Sequence, residues 1–226
     1  MKRFIFFPGI LVLFLFTDCH HNPDLSIAPP FPPPVAGFLC SPDTIYFQNR
    51  VLPITITSCA KSGCHDEASH KRDLVLDSYS GLMTLVTPFD PTSSKLYTIL
   101  FNTGEERMPP DGHLSTVQEG IIYYWIKQGA LNNKCDSANC DTLNVTYTKS
   151  IDPIIQTWCA GCHSNSSPAN GISLTNYSQV VASVNGGRFM GAIRQQSGFY
   201  PMPKGSILSP CEINLFQKWI DLGFPQ

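Results

Sequence analysis

Apolar residues recur at helical spacing in two stretches that mirror each other. Val117, Ile121, Trp125 and Ile126 fall on one face of a helix, and so do Phe216, Trp219 and Ile220. Each run opens on a start signal. Ser115 with Gln118, and Ser209 with Glu212, have the spacing of a capping box, and Pro210 suits the first helical position. Each run stops at a glycine, Gly129 or Gly223. Upstream, residues 46–58 and 147–158 also read as helices, which Pro53 and Pro153 must kink or interrupt. Residues 80–86 and 178–184 read as short helices. No segment shows strand alternation. The pattern predicts an all-α chain with long loops.

The two stretches belong to a longer internal repeat. Cys40 precedes Pro53 by 13 residues, as Cys140 precedes Pro153. Cys59 and Cys64-His65 then answer Cys159 and Cys162-His163. Leu74 to Tyr79 answers Ile172 to Tyr177, and Arg107-Met108-Pro109 answers Pro201-Met202-Pro203. The order never changes and the offset stays near about a hundred residues, which a tandem duplication explains. The boundary falls in the polar stretch 132–141, dividing a unit 40–134 from a unit 135–226.

What precedes the repeat looks like export machinery. Lys2 and Arg3 lead into an apolar run, 4–16, shorter than the ~20 residues that cross a bilayer as a helix. Phe16-Thr17-Asp18-Cys19 follows directly and resembles a bacterial lipobox, with Asp18 where a small residue is usual. The reading is a lipoprotein signal, 1–19, with Cys19 as lipid acceptor. A plain signal peptide or a short anchor is the alternative. Residues 20–39, with a proline cluster at 29–34, read as a stiff extended tether. This implies an exported protein, lipid-anchored to the membrane of a Gram-negative bacterium on its periplasmic or cell-surface side. A net charge of -2 with 14% charged residues argues against nucleic acid as a partner.

The nine cysteines carry the chemistry. Cys159-Ala160-Gly161-Cys162-His163 is C-x-x-C-H, the attachment signal for c-type haem. Two thiols add across the two haem vinyl groups, and the adjacent histidine meets the iron from one face. A zinc knuckle would need two further ligands at knuckle spacing, and a redox pair would sit in a βαβ pattern. Neither is visible. Cys59 and Cys64-His65 have four residues between the cysteines. A small-loop disulfide is the bland reading, but the repeat puts this motif in the same slot. Met108 lies 43 residues after His65, and Met202 lies 39 after His163. Each sits in a proline- and glycine-rich loop that could hold a thioether against iron. A lone methionine is usually core; here the repeat selects these two over Met83 and Met190. His113 could compete with Met108 but is not repeated.

With these residues in view, each unit resembles a class I cytochrome c domain, and in particular the planctomycete-type cytochrome c domain. The resemblance rests on C-A-x(n)-G-C-H, a leucine and Tyr-Ser segment, R-M-P-P-x-G, and the closing helix with Trp-Ile. It covers most of residues 45–224. The longer first cysteine spacing and Tyr200-Pro201 before Met202 depart from it. It implies two tandem domains of a few short helices and long loops, each wrapped around one covalently attached c-type haem. Cys59, Cys64, Cys159 and Cys162 would bind the haems, and His65, Met108, His163 and Met202 the irons. The expected role is electron transfer with redox partner proteins. A dihaem peroxidase-like enzyme is the alternative, and a haem-free disulfide-stapled module is a third reading. Four cysteines remain: Cys40, Cys135, Cys140 and Cys211. Repeat equivalence favours Cys40 with Cys135 and Cys140 with Cys211. Cys135–Cys140 with Cys40–Cys211 is the rival.

Overall fold

The computed structural model describes residues 25, 27–37, 39–110, 112–135, 140–164 and 168–226. The export signal, Cys19 and the start of the tether lie outside the described residues. Among the described residues there is no β-strand, and no helix is long and apolar enough to cross a membrane.

The first half contains α1 (Leu52–Ser58), α2 (Tyr79–Met83), α3 (Lys95–Thr98) and α4 (Thr116–Lys127). The second contains α5 (Asp152–Trp158), α6 (Tyr177–Asn185), α7 (Phe189–Ile193) and α8 (Pro210–Asp221). α3 and α7 are too short to leave a periodic trace in the sequence. α2 ends earlier than the pattern predicts, and α6 slightly overruns it.

The expected breaks at Pro53 and Pro153 take an unexpected form. A π-helical turn, Phe47–Val51 or Tyr147–Ile151, runs straight into α1 or α5. Leu52 and Asp152 donate their N–H to the carbonyls of Phe47 and Tyr147, five residues back. Proline has no N–H to give, and its ring crowds the carbonyl four residues before it. Widening the turn just ahead of the proline relieves that crowding, so the chain stays helical through it.

α4 and α8 anchor the two halves. Ser115 accepts from the Gln118 N–H while the Gln118 side chain accepts from Ser115 N–H at 2.9 Å. Ser209 and Glu212 do the same, with the return bond at 2.7 Å. Trp125 and Trp219 are fully buried, and their indole N–H groups reach Leu131 O at 3.0 Å and Pro225 O at 2.9 Å. Phe47 and Tyr79 surround Trp125, as Tyr147 and Tyr177 surround Trp219. The buried apolar residues form two clusters, one drawn from each half of the chain. Cys40–Cys135 ties the start of the first half to the boundary between the halves, and Cys140–Cys211 closes the second half on itself.

The halves meet where α1 and α4 pack on α5. Gln118 donates across the seam to Gln156 O at 2.8 Å. The backbone at Gly161 comes so close that a Cβ there would stand 2.5 Å from Ser58 Oγ and 3.0 Å from Thr57 O. Residues 29–36, expected to stand off as a spacer, lie along the body instead. Tyr124 donates to Pro29 O at 2.9 Å, Arg50 to Pro33 O at 2.8 Å, and Ala36 N–H to Lys149 O at 3.0 Å. An extended proline-rich segment has no internal hydrogen bonds, so its carbonyls are open to such donors.

One carboxylate makes stability depend on pH. Glu119, half-buried in the first turn of α4, is raised by burial from its ordinary 4.5 to about 7. The fold therefore favours its protonated form. That contribution is complete below the unfolded value of 4.5 and is lost as pH rises through about 7. Glu119→Gln is expected to raise the denaturation midpoint above neutrality and to leave it unchanged in acid, measured by denaturant titration across pH.

Candidate functional site

α5 ends at Trp158 and hands the chain to Cys159, its C-cap. The motif then tightens into one turn, with the N–H of Cys162 at 3.1 Å and of His163 at 2.9 Å from Cys159 O. This puts both sulfurs and the imidazole on one short curl of backbone. In the first half, His65 N–H bonds to Cys59 O at 3.2 Å, so the histidine docks on the same carbonyl despite two extra residues. The surplus bulges outward through Gly63, whose φ of +85° places it in the left-handed region. The downstream contacts repeat as well. Leu76 and Leu174 donate to His65 O and His163 O at 2.8 and 2.9 Å, and Lys71 and Ala169 donate to Cys64 O and Cys162 O, both at 2.9 Å.

The methionine loops also correspond. Met108 N–H reaches Ile99 O at 3.2 Å, and Met202 N–H reaches Ala192 O at 3.0 Å. Met83 and Met190 pack against the two cores. His113 is exposed and accepts from Arg107 Nη1 at 2.9 Å, which ties it to that arginine.

Cys159, His163 and Met202 line one cavity of about 310 Å³. Trp158, Leu174, Phe189, Ile193 and Leu208 supply most of its apolar wall, and Arg188 stands at its lining. Cys162 turns the other way, with Sγ 3.2 Å from Thr57 O across the seam. For Cys59, Cys64, His65 and Met108 the correspondence is carried by the backbone contacts above. The cavity is mainly apolar and carries both an imidazole and a thioether, groups that could hold a metal-bearing apolar ligand.

The donor set fits that use. Both histidines are buried, at 8% exposure. His163 Nδ1 lies 2.8 Å from Ile172 O, so the ring donates there and Nε2 keeps its lone pair. The sequence offers no signal for this contact, because its acceptor is a backbone carbonyl that a loop brings in. None of the four motif cysteines is in a disulfide. Cys59 and Cys159 are partly buried, and that burial pushes each thiol up to about 12. Thiols held protonated in this way resist spontaneous oxidation and stay available for attachment. Among the described residues no group of three or more His, Cys, Asp or Glu is disposed to hold a metal ion, so the zinc reading finds no ligand set.

The comparisons agree with this chemistry over part of the chain. Residues 62–112, from the first motif to the Met108 loop, match the family model described as Planctomycete cytochrome C. No curated protein and no solved structure matches. The matched stretch supports a cytochrome c-type domain within the first half, the haem-bearing module of an electron-transfer protein.

Proposed function

We infer that the chain is an exported dihaem c-type cytochrome that carries electrons, built from two tandem domains at 40–134 and 135–226. One observation supports this above the others. His65 and His163 dock by equivalent backbone bonds to Cys59 O and Cys159 O, although only the second motif has the standard spacing. In this reading Cys59 and Cys64 hold one haem, and Cys159 and Cys162 the other. His65 with Met108, and His163 with Met202, would hold the irons. The haem, when bound, supplies a one-electron couple, which histidine–methionine ligation raises in potential.

The protein's own residues then have defined tasks. The Ile172 carbonyl fixes the tautomer and tilt of His163. The apolar wall from Phe189, Ile193 and Leu208 excludes water from the second-half cavity. The Met202 loop, fastened to Ala192 O, would supply its thioether to the same cavity. With a histidine and a methionine of the chain at each iron, the groups would exchange electrons rather than bind substrate. Cys19 is assigned as the lipid anchor, holding the protein to a membrane where redox partner proteins reach it.

Intact mass with a pyridine haemochrome assay, on protein matured in a host able to attach haem, tests the proposal. Two haems per chain are expected. One haem overturns the first-half site, and a colourless protein overturns the whole reading.

A further inference from the structure

The two halves are alike in backbone and unlike in charge. Gln118 and Glu212 occupy the same N3 position of α4 and α8, and both are buried. The first is neutral and the second is a carboxylate. Glu212 accepts from Trp158 Nε1 at 2.7 Å and from Ser209 N–H at 2.7 Å, one bond at each oxygen. Two N–H donors are what an ionised carboxylate wants, although burial raises its titration. Trp158 in turn lines the second-half cavity beside Cys159. Glu212 is thus joined to Trp158, the residue beside that cysteine. In the first half, Lys61, of opposite sign, follows the equivalent Cys59 by two residues.

The histidines differ in the same sense. His163 Nδ1 has its carbonyl partner at 2.8 Å, whereas His65 Nδ1 is buried with no hydrogen-bond partner. An imidazole that donates through Nδ1 is a stronger electron donor at Nε2. A nearby negative charge and a more basic ligand both favour ferric over ferrous iron. Cations stand near both Met loops, with Lys204 two residues after Met202. Arg188 lines the second-half cavity, and in the first half Lys95 opens α3 while Arg107 directly precedes Met108.

We propose that the two irons are ranked, with the second-half site at the lower potential, set by Glu212 and by the His163–Ile172 contact. This rests on the dihaem reading and adds a direction to it. An electron received by the second half passes to the first, leaving the second-half iron ferric and the first-half iron ferrous, with no bond made or broken. The seam suits that exchange, because Cys162 Sγ lies 3.2 Å from Thr57 O, two residues before Cys59.

The test is a spectroelectrochemical titration of the full chain at alkaline pH, which favours the ionised form of Glu212 that burial opposes, after intact mass has shown both haems in place. Two resolved one-electron steps are expected. Met202→His, which exchanges the potential-raising ligand, should move the lower step further down and so assign it to the second half. Glu212→Gln should raise that same step and leave the upper one fixed. Glutamine is the residue the first half carries at this helix position, so the capping box survives. The expected change is about tenfold in the reduced-to-oxidised ratio, about 59 mV for one electron. A single unresolved step, movement of the upper step in Met202→His, or an unmoved lower step in Glu212→Gln overturns the ranking. A chain carrying one haem fails the dihaem reading instead, and the mass shows this before any titration.

Discussion

Serine at both Cys159 and Cys162 is expected to yield a chain one haem lighter, with about half the pyridine haemochrome absorbance per protein. The substitution removes the two thiols and leaves His163 with its contact to Ile172 O in place. A hydroxyl forms no thioether with a vinyl group, so nothing covalent remains in the second half. The first half should keep its haem because its buried cluster is drawn from residues 45–130. Its histidine also docks on its own Cys59 carbonyl. An unchanged haem count would show that the second motif is not an attachment site. Loss of both haems would show that the halves cannot mature separately.

Trp219→Ala should be the most damaging single change to the second half, at about 3–5 kcal/mol. The indole is fully buried, touches Tyr147, Tyr177 and Phe224, and donates to Pro225 O at 2.9 Å. Alanine leaves a cavity among those three aromatic rings and removes one of the two hydrogen bonds to that carbonyl, which keeps the Tyr147 N–H at 2.8 Å. The cost is a large share of the about 5–15 kcal/mol that holds a typical domain folded. Chemical denaturation followed by circular dichroism measures it. A loss under about 1 kcal/mol would mean that α8 is not the keystone of its half.

The long helices were readable because their signals are local. A capping serine, a Gln or Glu three residues on, an apolar stripe and a closing glycine all lie within α4 or α8 or directly beside their ends. α3 and α7 were not readable, being four and five residues long, less than the two turns over which a periodic stripe shows. The prolines announced a disturbance in α1 and α5 without its form. A π turn is a choice of hydrogen-bond partner, Phe47 O for Leu52 N–H, and no residue type encodes it. The proline-rich stretch read as a spacer from composition, because its docking to Tyr124 and Arg50 depends on residues far away in the chain.

The linear order of residues, by itself, determined the doubling of the chain, its helical character and the cysteine, histidine and methionine residues put forward as candidates. Those are matters of residue type and spacing, which survive without coordinates. Only the tertiary structure decided which cysteines pair, that Cys162 faces Thr57 across the seam, and that His163 gains a carbonyl partner while His65 does not. It also placed Glu212 against Trp158 at the wall of the second-half cavity. Each of these joins groups brought together by chain folding. The energy of a hydrogen bond or a charge depends on the distance and burial that folding creates, and a repeated sequence can therefore build two unequal sites.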